Sequence, residues 1–146
     1  MIKKNAQNLL FFFILGGLFA AGYSLQHHFA PLGGGGCNVN TVFNCDIVNR
    51  GAYAEIFGFP VAGIGLIGYL VMGIVAFMNR NDHDRTLAIA LVALAIGGVL
   101  FSLYLTYIEA YVLGTWCLVC LASLSSIIGT AMTSIMVMQD KKAPKA

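Results

Sequence analysis

Four cysteines are the residues of this sequence whose chemistry stands out, and they fall into two pairs. Cys37 and Cys45 are separated by seven residues, and Cys117 and Cys120 form a Cys-x-x-Cys motif. Cysteine thiolates attack disulfides, so two neighbouring pairs can pass electrons from one to the other by thiol–disulfide exchange. At the start of a helix, unpaired N–H groups and the helix dipole stabilise a thiolate, which makes Cys-x-x-Cys a recurring redox motif there. The pattern predicts a thiol oxidoreductase.

Two other interpretations of the cysteines stay open at this point. Four cysteines can bind zinc, although the spacing here is unlike the short paired motifs of structural zinc sites. The pairs can also be structural disulfides that brace loops. A bridge between Cys117 and Cys120 would close a very short loop and add little stability, which favours exchange chemistry for that pair. The Cys37/Cys45 pair alone fits both interpretations.

The elements that must position the cysteines are membrane-spanning helices. Hydrophobic residues make up 59% of the 146 residues, charged residues only 10%, and the mean hydropathy is +0.83. Soluble domains have roughly a quarter charged residues, and a small soluble fold cannot bury so much apolar surface. The net charge of +2 gives no argument for nucleic acid. Composition therefore predicts an integral membrane protein.

Four apolar segments are long enough to span a bilayer, which takes about 20 residues. They are residues 9–25, 60–78, 87–108 and 116–138, with a loop at 26–59 between the first two. Short connections join the later spans. The predicted fold is therefore all-α, a single domain over residues 1–146 that forms a four-transmembrane-helix bundle with an outer loop bearing two cysteines.

The basic residues predict how this bundle lies in the membrane. Seven of the eight lysines and arginines fall on one side of a four-span arrangement, and Arg50 falls on the other. The positive-inside rule then places both termini in the cytoplasm and all four cysteines at the outer face, where disulfides persist. Basic residues before the first span and Ala20-Ala21-Gly22 after its centre also permit a signal peptide. That interpretation leaves the cysteine loop on the same side.

Helix geometry gives the two cysteines of the Cys-x-x-Cys motif different duties. A helix rises about 1.5 Å per residue, so we expect Cys120 to lie about 4.5 Å deeper in the bilayer than Cys117. Cys117 is then placed to meet a disulfide on the water side, and Cys120 to meet a lipid-soluble molecule. The glycines at 33–36 form a flexible tether that would let the loop pair move between a soluble partner and Cys117.

In this combination the chain resembles the vitamin K epoxide reductase family, in its small bacterial form. The resemblance runs through Cys37-x7-Cys45, Phe-Gly-Phe-Pro at 57–60 and Trp-Cys-Leu-Val-Cys at 116–120, in that order, and covers most of the chain. The DsbB-like proteins, another family of membrane thiol oxidases, carry their Cys-x-x-Cys in the first outer loop. Here that motif comes last, which favours the first family.

The resemblance implies a quinone-dependent thiol oxidoreductase of the bacterial inner membrane. A thioredoxin-like, DsbA-like partner outside the membrane would attack the loop disulfide at Cys37, and the freed Cys45 would attack Cys117. The Cys120 thiolate would then reduce a quinone, ubiquinone or menaquinone, held between the helices. No fused thioredoxin-like domain follows the fourth span in this sequence, so we expect the partner to be a separate protein.

Two positions depart from the family pattern. Members commonly carry a serine six residues after the second loop cysteine, where this chain has Gly51. Animal members carry a tyrosine four residues after the last cysteine, where it has Leu124. The first difference leaves the quinone contacts open, and the second favours a respiratory quinone over vitamin K epoxide. Reduction of vitamin K epoxide or quinone for its own sake is the alternative activity, and a disulfide-braced membrane protein without enzymatic activity is the alternative from another class.

Residues near the sulfurs are candidates for the quinone pocket. We expect Tyr53 and Phe57 to form an aromatic lid, and Leu105, Leu113 and Leu124 to line its wall. Interfacial anchoring is the competing interpretation for Tyr53, and lipid or core packing for the others.

Three polar residues near the ends of the spans have simpler interpretations. His27 and His28 are expected where the first span gives way to a solvated loop, and not as metal ligands. Glu109, near the end of the third span, either reaches headgroup water or is a functional acid inside the membrane.

Overall fold

Four long helices make up most of the chain in the computed structural model, which describes residues 2–31, 36–81 and 84–140. They are α1 (Ile2–Phe29), α3 (Val61–Asn81), α4 (Arg85–Ile108) and α5 (Leu118–Asp140). Each is long and apolar enough to cross a membrane. The predicted all-α fold with four membrane-spanning helices is therefore confirmed, and the protein is a multi-pass membrane protein.

The four helices form a ring in which α1 contacts α3 and α5, and α4 contacts the same two helices from the other side. Leu10, Tyr69, Leu91 and Ile127 belong to the core that they enclose. Tyr69 also donates a hydrogen bond to the Ser123 carbonyl of α5 at 2.8 Å. Large apolar side chains on the outside of the bundle are exposed, as a lipid-facing surface requires.

Glycine sets how closely α1 approaches α3. A Cβ added at Gly17 would lie 2.1 Å from the ring of Tyr69, so that ring fills the space that a side chain would need. Small residues at helix contacts allow this approach in membranes, where dispersion contacts must hold the helices together.

The segment between α1 and α3, residues 36–60, is called the cysteine loop below. It contains the short helix α2 (Cys45–Arg50) and a hairpin of β1 (Glu55–Ile56) and β2 (Phe59–Pro60). The Asn44 side chain caps α2 by accepting the N–H groups of Asp46 and Ile47. Of the predicted glycine tether, residues 33–35 lie outside the described residues.

The first helix continues four residues beyond the predicted end of the span, and this corrects the expectation for the two histidines. His27 and His28 lie in the last turn of α1, and His27 is buried. His28 donates from Nδ1 to the Asn49 carbonyl at 2.6 Å. The packing of α2 on this end of α1 covers residues that the sequence pattern left in a solvated loop.

Candidate active site

The two cysteines of the loop form a disulfide. Cys37 and Cys45 are bonded with a Cα–Cα distance of 5.7 Å, and both are buried. Cys45 is the first residue of α2. Asn38 donates from its side chain to the Asp46 carboxylate at 2.6 Å, so the turn around Cys37 is fastened to the first turn of α2.

The disulfide lies directly against the second cysteine pair. The Sγ atoms of Cys45 and Cys117 are 3.4 Å apart, Cys117 carries no disulfide, and neither residue is exposed to solvent. The Sγ atoms of Cys37, Cys45 and Cys117 all lie within 4.8 Å of one another. The sequence pairs are therefore brought together into one centre of three sulfurs.

Backbone hydrogen bonds hold this contact in place. Phe43 and Trp116 form a parallel β-bridge between two segments that are far apart in the chain. The N–H of Asn44 donates to the Trp116 carbonyl at 3.1 Å, and the N–H of Trp116 donates to the Val42 carbonyl at 2.8 Å. Because the hydrogen bond between Asn44 and Trp116 joins the residues directly before Cys45 and Cys117, it holds the two sulfurs close to each other.

The same cluster bears on the zinc interpretation. Zinc binds thiolates, and a structural site usually takes four ligands. Cys37 and Cys45 are joined to each other in this structure, so binding zinc here would require reduction of their bond first. The arrangement present is that of a disulfide beside a free thiol, which is the geometry of exchange.

Cys117 is the thiol best placed to act as nucleophile. It directly precedes α5, which begins at Leu118, and it accepts the N–H of Cys120 on Sγ at 3.3 Å. The hydrogen bond from the Cys120 side chain, reinforced by this backbone N–H, holds the pKa of Cys117 below its usual range, although burial works in the opposite direction. A lowered pKa raises the fraction of thiolate, which is the attacking species.

Glu109 holds the backbone of Cys117. It begins a π-helical turn (Glu109–Leu113) that continues α4, and it is 3% exposed. Its carboxylate accepts the N–H of Cys117 at 3.2 Å, and its carbonyl accepts the N–H of Thr115. Of the two interpretations given for this acid, the structure contradicts headgroup water and places it inside the protein beside the cysteines. Single π-helical turns within helices are frequent at functional sites.

A cavity of about 780 Å³ lies beside the sulfurs, between the helices and the cysteine loop. This volume falls in the range of ligand pockets, about 300–1,000 Å³. Cys120 and Glu109 are in its wall. Most of the remaining wall is apolar. An apolar ligand in this cavity would therefore reach the deeper cysteine of the Cys-x-x-Cys motif.

The predicted pocket residues divide between this cavity and other places. Tyr53, Leu105 and Leu113 line the cavity. Phe57 lies outside its wall, at the turn of the hairpin, with a φ of 52° and a side chain 99% exposed. Leu124 faces the bundle core and packs against the cluster around Leu91 and Ile127. Because Phe57 lies outside the cavity wall, Tyr53 alone remains of the two residues of the expected aromatic lid.

Asn49 and Glu109 are among the polar residues of the cavity wall that the sequence pattern does not assign to the pocket. Asn49 lies one helical turn after Cys45 in α2. The only feature of the sequence that could have indicated these two residues is that each is polar and lies close to a cysteine or to the end of a span. Near Asn49, Gly51 has no room for a side chain, because an added Cβ would lie 2.7 Å from the Ile47 carbonyl oxygen.

The chain matches the model of a known protein family. The model of the family described as the vitamin K epoxide reductase family matches residues 8–135. The matched range contains all four cysteines, the cysteine loop and most of the four long helices.

Proposed function

Because the chain belongs to the vitamin K epoxide reductase family, whose members are membrane oxidoreductases, we propose that it is a thiol:quinone oxidoreductase that reoxidises a thioredoxin-like partner. The observation that carries this proposal is the 3.4 Å contact between the Sγ atoms of Cys45 and Cys117. That contact links a disulfide to a thiol pair, and the thiol pair adjoins an apolar cavity. Electrons can therefore pass from a protein dithiol to a lipid-soluble acceptor.

The proposed route consists of thiol–disulfide exchanges in which every step conserves electrons. A partner thiolate attacks Cys37 and releases the Cys45 thiolate, which attacks Cys117 of a Cys117–Cys120 disulfide. The second partner thiol then attacks the partner sulfur of the mixed disulfide, which forms the partner's own disulfide and releases Cys37 as a thiolate. Cys37 then attacks Cys45, which restores the loop disulfide and leaves both Cys117 and Cys120 reduced. This last arrangement is the one in the structure, with the loop pair bonded and the other two cysteines free.

A quinone would serve as the acceptor, taking two electrons and two protons from the reduced pair. The cavity walls support this choice of acceptor, since they are largely apolar and Cys120 belongs to them. Tyr53, Leu105 and Leu113 would contact the ring and the start of its tail. Cys117 lies on the side of the loop disulfide and Cys120 on the side of the cavity, which gives electron transfer a direction.

We also propose that the protein lies in the bacterial plasma membrane with both termini in the cytoplasm and the cysteine centre outside. The distribution of lysine and arginine supports this orientation, apart from Arg50. Arg50 donates to the carbonyls of His27 and Ala30, and its guanidinium lies 3.9 Å from Asp46. Its charge is used to bind the cysteine loop to the end of α1, so its position on the outer side does not weigh against the rule.

The test is oxidation of a reduced thioredoxin-like protein by the purified chain with added quinone. Cys→Ala at any of the four positions should abolish turnover, whereas Ser125→Ala, an exposed position on α5 near Cys120, should not. The Cys117→Ala variant, which keeps the loop disulfide, should still form a mixed disulfide with the partner through Cys37. The proposal fails if the wild-type protein with quinone consumes no dithiol.

The two alternatives give different results in the same preparation. A protein whose disulfide only braces a loop would lose thermal stability in the cysteine variants without ever oxidising thiols. An enzyme for vitamin K epoxide would turn over that substrate faster than a respiratory quinone. Mild reductant followed by alkylation separates the first alternative further, because a redox-active disulfide opens well before a buried structural one.

A further inference from the structure

The cavity wall contains a hydrogen-bond donor without a partner. The Nδ2 atom of Asn49 is buried and makes no hydrogen bond within the described part of the chain. The residue is 8% exposed and belongs to the cavity wall. A buried donor that stays unsatisfied lowers stability, so folded proteins contain few of them, and each one calls for an explanation.

The rest of Asn49 is held firmly. Ser24 of α1 donates to Asn49 Oδ1 at 2.6 Å, and His28 donates to its backbone carbonyl at 2.6 Å. Both bonds fasten this residue to α1, and the first one uses the oxygen end of the amide. The NH₂ end is therefore the end of the amide without a partner among the described residues, on a residue of a cavity wall that is otherwise mainly apolar.

The position of Asn49 relates this donor to the redox centre. Asn49 follows Cys45 by four residues in α2, so the two side chains lie on the same face of that helix. Cys120 and Asn49 line the same cavity. A planar ring that accepts a hydrogen bond from Asn49 would therefore lie in the cavity that the deeper cysteine also borders.

A quinone is the apolar acceptor whose polar atoms fit this arrangement, because its carbonyl oxygens accept hydrogen bonds and the rest of the molecule is apolar. At Gly51, two residues further along the segment, the Ile47 carbonyl leaves no space for a side chain, so that position supplies no side-chain donor.

We propose that Asn49 is a quinone-binding residue, donating from Nδ2 to one carbonyl oxygen of the quinone. This inference rests on the proposed function and deepens it by naming a polar contact of the acceptor. The hydrogen bond orients the ring, and it strengthens as negative charge develops on that oxygen when electrons arrive from the cysteines. Asn49 therefore contributes both to affinity and to the rate of quinone reduction.

The test compares Asn49→Leu with Asn49→Gln in purified protein whose cysteines are oxidised, so that bound quinone is not reduced during the measurement. Leucine keeps a similar volume without a donor, and glutamine keeps the amide. Quinone binding is followed by quenching of Trp116 fluorescence. Loss of one net hydrogen bond predicts about three- to tenfold weaker binding for Asn49→Leu, with partial recovery in Asn49→Gln.

A second measurement separates a direct hydrogen bond from a structural effect. The infrared C=O stretch of a carbonyl-labelled quinone should shift to lower frequency on binding to wild-type protein, and Asn49→Leu should abolish that shift. Thermal unfolding and the content of Cys37–Cys45 disulfide check the fold of each variant. If Asn49→Leu does not fold, Ser24→Ala replaces it, since it releases Oδ1 and should weaken both the binding and the shift.

The outcomes distinguish this inference from the function on which it rests. If wild-type protein neither binds quinone nor oxidises a dithiol with it, the proposed function fails. If wild-type protein does both and a folded Asn49→Leu binds with the same affinity and the same C=O frequency, only the role of Asn49 is overturned. Weaker binding together with a lost frequency shift supports it.

Discussion

Removal of Cys120 should convert the loop disulfide into a bond between Cys45 and Cys117. In the Cys120→Ala variant, Cys117 has lost its partner and its sulfur still faces Cys45 at 3.4 Å. A disulfide bond is about 2.05 Å long, so the two sulfurs need to approach by only about 1.4 Å. The Phe43–Trp116 bridge already aligns the flanking backbone. Attack of Cys117 on Cys45 then releases Cys37.

The size of the effect follows from this proximity. A flexible tether alone gives an effective concentration of about a millimolar, and well-oriented groups in contact reach far higher values. Exchange inside the protein should therefore outpace reaction with a micromolar dithiol. In the assay, an alkylating reagent is added at successive times, and the disulfide bonds are then mapped by mass spectrometry. Alkylated Cys37 and a Cys45–Cys117 bond should accumulate together, because Cys117 itself is fully buried.

The control for this experiment is Cys117→Ala, which should keep the Cys37–Cys45 bond throughout the time course and accept the reagent at Cys120. The reasoning is refuted if Cys120→Ala retains the Cys37–Cys45 bond while Cys117 becomes alkylated. That result would mean that the two sulfurs do not meet in the membrane as they do in the structure.

Three further results are expected. Thiolate absorbance of Cys117, measured with Cys37 and Cys45 both replaced by alanine so that Cys117 has no disulfide to attack, should appear below the usual thiol pKa of about 8.5. In that background Cys120→Ala should raise the midpoint because the hydrogen bond is lost, and Cys120→Ser should not. Equal midpoints in all three proteins would argue against this cause. Glu109→Ala leaves the Cys117 N–H unpaired and should slow the exchange between Cys45 and Cys117 about tenfold or more. Glu109→Gln keeps an acceptor for this N–H and should slow the exchange less. Unchanged exchange kinetics in Glu109→Ala would contradict the role of Glu109 in holding Cys117. Gly17→Ala should destabilise the bundle by about 1–3 kcal/mol in thermal unfolding, because the added Cβ would clash with the Tyr69 ring. Gly97→Ala should not destabilise it, because a Cβ added at Gly97 has no atom within 4 Å.

The membrane fold could be predicted because it follows from averages over many residues. Each span needs only length and apolar composition. The location of the spans also put the four cysteines near one another, since the loop and the start of α5 are at the same end of a four-span bundle. Averages over the sequence cannot predict the 3.4 Å contact between the sulfurs of Cys45 and Cys117. It depends on a two-residue β-bridge between distant segments, and Phe43 and Trp116 carry no pairing signal in the sequence.

The residues of the pocket could also be predicted only in part, because the position of each side chain depends on local backbone geometry and packing. Proximity in sequence favoured Phe57, but a positive φ at this residue turns the hairpin outward and exposes the ring. Leu124 lies one helical turn from Cys120, yet it contacts the core of the bundle. Asn49 went unassigned because its significance comes from burial and an unpartnered amide, which are properties of the packed structure.

Burial of the loop disulfide places a requirement on any soluble partner. Cys37 is 5% exposed and Cys45 is not exposed, so a partner thiol can reach Cys37 only if the turn around it moves. That turn is held to α2 through Asn38 and Asp46, and the N–H groups of Val39 and Asn40 bind it to the Phe43 carbonyl. Cys45 is held to Cys117 through the pairing of Asn44 with Trp116. A partner that opens the Cys37 side must therefore break the bonds of residues 38–40 to Asp46 and Phe43, but it need not break the bond between Asn44 and Trp116. When that bond is kept, the Cys45 thiolate is released directly against Cys117.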